Sequence, residues 1–366
     1  MATGASAAQS SCVGIGVLSA ANIANKNIRA IKMTTNAEVV AVGSRDASRA
    51  AALLERWELA SSASAYEGYE AVLADPRVQA VYIALPSALH VPWVKAAAAA
   101  GKHILLEKPV AVNNQDLDDI LRACQDAGVQ LMDGTMWSHN PRAQRMAAVL
   151  HDPAAVGELT DVTATFFFRA SEEFLRNDVR VQPGLDPAGA LGDVGWYCVR
   201  AMLWAYDWTP PLSVTAHPGA VYNDAGVPMH MAATVLFPGG RRGTLQCGFD
   251  SALIQQVLIS GTLGTVQLHD FVVPRHELRC SFTATRDHCL REHETYDDTR
   301  RDEVTVHLDK PQEAHMWETF AGLVQRCRAG GQPDPFWPQA MQLTQRVLFA
   351  VEQSAREGCR TVELRW

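Results

Sequence analysis

Short apolar runs punctuate the first 135 residues, CVGIGVL, EVVAVGS, VQAVYIAL, HILLE and VQLMDG, and segments with helical periodicity separate them. A strand buried on both faces reads as such a run, and a helix joining two parallel strands must lay one apolar stripe on their sheet. Strict alternation of the two therefore predicts a parallel sheet wrapped by helices. In DASRAAALLERW, Asp46 stands where a helix cap belongs, and Ala50, Leu53, Leu54 and Trp57 share one face. In NNQDLDDILRACQDAG, Leu117, Ile120, Leu121 and Cys124 do the same before Gly128 stops the helix.

Beyond residue 136 the pattern changes to longer strands with hairpin signals: TDVTATFFF, then AATVLF and RRGTLQCGF around Pro238, Gly239 and Gly240, then QQVLISGTLGTVQL. This half reads as a large, mostly antiparallel sheet closed by helices in MWETFAGLVQRC and MQLTQRVLFAVEQSA. The fold class is α/β, and the expected division is a flexible tail over 1–11, a helix-wrapped parallel-sheet domain over 12–136, and an α/β domain with a large, mostly antiparallel sheet over 137–366. A chain of 366 residues is long enough for two cores.

Composition narrows the function. With a net charge of -8 and its Lys and Arg scattered, the chain has no basic stripe for a nucleic-acid backbone. Eight cysteines without a C-x-x-C pair signal neither a zinc site nor a disulfide framework, and His139 and His151 lack metal-ligand spacing, so no metal is expected. The N-terminus has neither the basic start of a signal peptide nor the arginines of a transit peptide, and no apolar run is long enough to span a bilayer. The expectation is a soluble, cytoplasmic protein acting on a small-molecule substrate, with no nucleic-acid or membrane partner.

In a dinucleotide-binding fold the first strand turns tightly into a helix whose amides meet the pyrophosphate. Here the G-x-G-x-x-G positions read Ser19-Ala20-Ala21-Asn22-Ile23-Ala24, small residues without a glycine. A purely structural strand-to-helix turn explains them equally well. At the end of the second apolar run, where a carboxylate would bind the ribose 2′-hydroxyl of NAD, stand Ser44 and Arg45. A hydroxyl and a guanidinium suit a 2′-phosphate, which makes NADP the expected cofactor and NAD the less favoured one. The alternative is that Arg45 is a solvated surface charge.

After the fourth run of the series comes Glu107-Lys108-Pro109, at a strand's C-terminal end, where open parallel sheets bind ligands. With Leu85-Pro86-Ser87 and His90 in LPSALH, and with GALGDVGWY over 189–197, this order and spacing resembles the Gfo/Idh/MocA oxidoreductase family over nearly the whole chain. Many members end the G-D-x-G-x-H element with histidine; Tyr197 in that place resembles the branch of glucose-fructose oxidoreductase and dimeric dihydrodiol dehydrogenase (NADP-dependent D-xylose dehydrogenase). The segment DGTMWSHNPR, with FLRNDVRVQPGLDPAGALGDVGWY, looks most like plant oxidoreductases of this branch. The resemblance implies a Rossmann domain, an α/β domain with an open sheet face, and a homodimer.

Asp193 and Tyr197 stand four residues apart, so an α-helix would place both on one face. On their own they read as a helix cap and a core ring. The resemblance implies instead that Tyr197 transfers the proton while hydride moves between nicotinamide and a sugar, polyol or related alcohol or carbonyl. A free tyrosine titrates near pH ~10, so Lys108 is expected to favour the phenolate, with Asp193 holding a substrate hydroxyl or orienting Lys108. His90 and Trp137 are expected on the cofactor side, the alternatives being a loop tie and a core ring. Arg176, Asp178 and Arg180 are either substrate-selecting charges or a solvated loop. Competing functions are a noncatalytic dinucleotide sensor of the galactose-regulon repressor type and a reductase of a specialised plant metabolite.

Overall fold

The computed structural model describes residues 12–286, 290–291, 295–296 and 301–366; the expected tail over 1–11 lies outside them. The N-terminal half runs β1 (Val13–Leu18), α1 (Asn22–Ile31), β2 (Ala37–Ser44), α2 (Ala47–Arg56), β3 (Ser64–Glu67), α3 (Glu70–Ala74), β4 (Ala80–Ile83), α4 (His90–Ala99), β5 (His103–Leu106), α5 (Asn114–Asp126) and β6 (Leu131–Asp133). The six strands are all parallel in the order β3-β2-β1-β4-β5-β6. The order reverses between β1 and β4, which opens a crevice beyond their C-terminal ends. β1 is buried along its whole length, as its uninterrupted apolar run requires. β3 is the strand the apolar runs do not reveal: it lies at the sheet edge, alternates half-buried with exposed residues, and has no run to read.

The second half adds α6 (Pro141–Leu150), β7 (Leu159–Arg169), α7 (Glu172–Asn177), α8 (Trp196–Ala205), β8 (Ser213–Ala216), β9 (Val221–Tyr222), β10 (Pro228–Leu236), β11 (Arg242–Gly248), β12 (Asp250–Gly261), β13 (Gly264–Leu268), β14 (Arg279–Arg286), β15 (Leu290–Arg291), β16 (Thr295–Tyr296), β17 (Arg301–His307), α9 (Gln312–Arg328), α10 (Phe336–Arg356) and β18 (Val362–Glu363). The large sheet runs β17-β14-β13-β12-β7-β11-β10-β8-β18 with β9 beside β10, antiparallel except for β7 against β11. Both expected hairpins form, β10 with β11 and β12 with β13. α8 is apolar nearly all round and packs on β7 and β11, so it is buried.

α9 departs from the division at 136/137. Its Trp317, Phe320 and Val324 join the core formed by Val13, Ile15 and Ile28 of the first domain. Trp317 Nε1 donates to Asn27 Oδ1 at 2.8 Å. The chain thus returns from the second sheet to cover the first. Among the described residues no helix is long and apolar enough to cross a membrane, and no group of three or more His, Cys, Asp or Glu is placed to hold a metal ion.

Candidate active site

A cleft of about 470 Å³ lies beyond the C-terminal ends of β1, β4, β5 and β6, faced by Phe166 and Phe168 of β7 and by the chain entering α8. That chain winds as a π-turn over Leu191–Gly195, wider than an α-turn, before α8 begins. Two contacts fix α8 to the end of β6: Trp196 Nε1 donates to Thr135 Oγ1 at 2.8 Å, and Arg200 forms a buried ion pair with Asp133. Gly192 permits the closest approach. A Cβ there would lie 2.5 Å from Ala188 Cβ and 2.9 Å from Pro109 Cγ, so the turn rests directly on the Lys108-Pro109 loop, whose peptide bond is cis.

Lys108, Asp193 and Tyr197 all line this cleft. Lys108 Nζ donates to Asp193 Oδ1 at 2.5 Å and to the Asp193 carbonyl at 2.9 Å, and lies 4.9 Å from the centre of the Tyr197 ring. Arg180 Nε reaches the same Asp193 oxygen at 3.0 Å. Burial raises the Asp193 carboxyl, but Lys108 and Arg180 outweigh it and hold it at about 2. The Tyr197 hydroxyl meets Met136 Sδ at 3.6 Å. Its phenol is pushed well above the ordinary value by burial first and then by the carboxylates of Glu107 and Asp193. This corrects the expectation of a phenolate favoured by Lys108: the ammonium is committed to Asp193, and the phenol is held neutral.

On the opposite wall, Ser19, Ala21, Asn22 and Ile23 border the cleft. Ser19 takes the left-handed backbone (φ 114°) that a glycine would adopt more easily, and its Oγ accepts from Ala21 N at 3.1 Å. No side chain caps α1, so its first amides are left for an anion beside a backbone of small residues. Ala20 lies outside the lining; its carbonyl accepts from Arg49 Nη2 at 3.4 Å. Ser44 is buried, its Oγ accepting from Asp46 N at 3.4 Å, and Asp46 caps α2 through Ser48 N at 2.8 Å. Arg45 is exposed and forms no hydrogen bond or ion pair among the described residues. Burial raises the Tyr69 phenol while Arg45, Ser19 and Arg49 pull it back, which gathers two guanidiniums around one phenol beside the β1 turn. These groups fit a dinucleotide carrying an extra phosphate.

Leu85, Pro86, Ser87 and Glu107 also line the cleft. Tyr82 donates to Glu107 in a short contact and accepts from Asn27 Nδ2 at 2.8 Å. Two expected cofactor-side residues lie elsewhere. His90 is buried behind the wall, its ring nitrogens 3.0 Å from the Val110 carbonyl and 2.9 Å from that of Leu85, so it ties two loops together. Trp137 is a core ring, edge-on to Trp204 and Phe271, because its neighbour Met136 takes the cleft-facing position. Arg180 and Asp178 border the cleft, whereas Arg176 pairs with Glu172 on exposed α7. Sequence reading did not single out Arg49, Tyr82, Met136 or Asp186, whose roles depend on what folds against them.

Residues 13–135 match the oxidoreductase family with NAD-binding Rossmann fold, Gfo/Idh/MocA, and residues 145–267 match the Gfo/Idh/MocA C-terminal domain. D-xylose 1-dehydrogenase (NADP(+)) 2 of Haloferax volcanii is 32% identical over 69% of this chain and 74% of its own. The chain belongs to the Gfo/Idh/MocA oxidoreductase family. Among other Gfo/Idh/MocA relatives, the trans-1,2-dihydrobenzene-1,2-diol dehydrogenase of Mus musculus is 30% identical over 71% of this chain and 75% of its own. The structure of KijD10, a 3-ketoreductase from Actinomadura kijaniata in complex with NADP and TDP-benzene, superposes with a TM-score of 0.79 at 25% identity, covering 93% of this chain and 97% of that one. The α/β architecture, a parallel Rossmann sheet followed by a large, mostly antiparallel sheet, is that of the family.

Proposed function

We propose that this protein is an NADP-dependent oxidoreductase acting on a sugar, polyol or related alcohol or carbonyl, with Tyr197 as the proton-transfer residue and Lys108 as its partner. The observation that carries the reading is the convergence of Lys108, Asp193 and Tyr197 in one cleft, opposite the uncapped start of α1. Nicotinamide, when bound, supplies the hydride donor or acceptor at C4. Ser19, Asn22 and Ile23 hold the phosphates, and Arg45 with Ser44 the 2′-phosphate. NADP in the names of the Haloferax dehydrogenase and the KijD10 complex supports that choice.

The protonated phenol suits reduction directly: Tyr197 donates its proton to the oxygen of a carbonyl as hydride reaches the carbon. In oxidation the Tyr197 oxygen takes the alcohol proton as hydride leaves the carbon, which requires the phenol to have ionised beforehand. Lys108 contributes by holding a hydrogen bond to the reacting oxygen and a positive charge beside the ring; Asp193 fixes its ammonium in place. Asp193 is therefore the residue that orients Lys108, not a free substrate acceptor. Exposed Leu253 and Ile254 on β12 support self-association through the large sheet, as a homodimer.

Titration with NADPH and NADH by fluorescence, followed by aldoses and a trans-dihydrodiol with NADP+, tests the reading. Selective NADPH binding with turnover of a sugar or diol is the expected result. Failure to bind either nucleotide refutes it; binding without turnover on any of them removes the catalytic part.

A further inference from the structure

Among the carboxylates lining the cleft, Asp193 meets Lys108 and Arg180, Asp178 meets Arg180, Glu313 meets Lys26 at 2.7 Å, and Glu107 meets the Tyr82 hydroxyl. Glu107 and Asp186 both lack an ion pair among the described residues, but Glu107 meets a donor with each oxygen, Tyr82 Oη and Lys108 N, whereas Asp186 meets one with Oδ1 alone. Asp186 is buried, and its Oδ1 lies 3.2 Å from Ser87 Oγ. Ser87 Oγ also lies 3.2 Å from the Leu185 carbonyl, so one hydroxyl proton faces two acceptors. A protonated Asp186 resolves the shortage: Oδ1–H donates to Ser87 Oγ, and Ser87 donates to Leu185. Burial first, and Asp193 next, push Asp186 up to about 7, against Lys108, Arg180 and Ser87, so the neutral form is populated at neutral pH. Its other oxygen, Oδ2, then presents a carbonyl acceptor. Among the described residues that oxygen has no hydrogen-bond partner, and Asp186 lines the cleft.

We propose that Asp186 is a specificity-determining residue: Oδ2 accepts the hydroxyl on the carbon next to the reacting one, so the cleft selects a vicinal diol or α-hydroxy carbonyl over an isolated alcohol or carbonyl. The inference rests on the sugar oxidoreductase reading above and adds to it the group that senses the neighbouring hydroxyl. Lys108 and Tyr197 address the reacting oxygen, and Asp186, near enough to Asp193 and Lys108 to feel their charges, addresses the next one along. A site built around such an acceptor discriminates strongly against an analogue that lacks the hydroxyl, because the buried polar group is then left unpaired.

The test compares D-glucose with 2-deoxy-D-glucose, with NADP+, in the wild type, Asp186→Ala and Asp186→Asn. The wild type is expected to prefer D-glucose by about tenfold or more in kcat/KM. Asp186→Ala collapses that ratio to about one by raising KM for D-glucose, while 2-deoxy-D-glucose changes little. Asp186→Asn, which keeps a carbonyl acceptor and a donor toward Ser87, restores most of the preference. A preference that survives in Asp186→Ala overturns the inference, as does an equal loss on both sugars, which marks a purely structural role. If neither sugar is turned over, the sugar reading fails separately, and saturation-transfer NMR of the two sugars on NADPH-loaded protein decides: a D-glucose preference lost in Asp186→Ala supports the inference, and equal contact or none overturns it.

Discussion

Tyr197→Phe removes one oxygen from a ring that is only 6% exposed and whose hydroxyl meets the Met136 thioether at 3.6 Å. A thioether is a weak acceptor, so that contact contributes less than the ~0.5–1.5 kcal/mol of an ordinary hydrogen bond. The ring's packing on Phe166, with centroids 6.0 Å apart, and its position under Lys108 survive the substitution. Stability is therefore expected to change by less than about 1 kcal/mol, a Tm shift of only a few degrees. Turnover should behave quite differently. Losing a positioned proton donor costs about 10²- to 10⁴-fold, roughly 3–5 kcal/mol of transition-state stabilisation. Because the hydroxyl acts in the chemical step, the loss should fall on kcat with KM largely kept. The assay is NADP+ reduction on whichever sugar or diol is turned over, alongside thermal melts with and without NADPH. Turnover within about threefold of wild type refutes the proton-transfer role, since general acid catalysis is worth far more than that. A large fall in Tm refutes the structural half of the reasoning, because it means that the hydroxyl holds the fold.

Three further outcomes follow from the geometry. Arg45→Ala should weaken NADPH binding by about 10- to 100-fold, the worth of a charge-assisted hydrogen bond, and leave NADH unchanged in the same fluorescence titration; equal effects on both nucleotides place Arg45 elsewhere. Asp186 has a folded-state pKa raised to about 7, so its stabilising contribution is complete below the unfolded carboxyl value and is lost as pH rises through 7. Thermal melts across that window should show Asp186→Asn gaining on the wild type by an amount on the order of 4 kcal/mol, and parallel curves count against a protonated Asp186. Gly192→Ala must push Ala188 or Pro109 aside, since its Cβ would lie 2.5 Å and 2.9 Å from them. It should cost about 1–3 kcal/mol in stability and lower kcat through the displaced Lys108, whereas a neutral melt shows that the turn can yield.

The apolar runs of the first 135 residues suffice for the parallel sheet because a strand buried on both faces has no polar positions to hide. Hairpins at Pro238-Gly239-Gly240 and near Gly261 were legible for a related reason: turn chemistry is local. Glu107-Lys108-Pro109 likewise marked the site, since strand ends at the crevice are where a parallel sheet exposes its ligand-binding residues, whereas GDVGWY, in the turn entering α8, was marked by the family resemblance alone. Side-chain direction and partnership were decided only by tertiary structure. Adjacent Met136 and Trp137 part company, one to the cleft and one to the core, because the turn after β6 points successive side chains in different directions. α9 reads as a helix of the second half, but the apolar stripe around Trp317 finds its complement on β1 and α1. Most consequential is the charge state of the site. Lys108 and Tyr197 suggest an ammonium beside a phenolate, yet the ammonium pairs with Asp193, a carboxylate it shares with Arg180, while burial keeps the phenol protonated. Sequence determines which elements form, because their signals lie within a few residues; pKa and hydrogen-bond partners are set by burial and by charges brought together across the fold, and only packing brings those together.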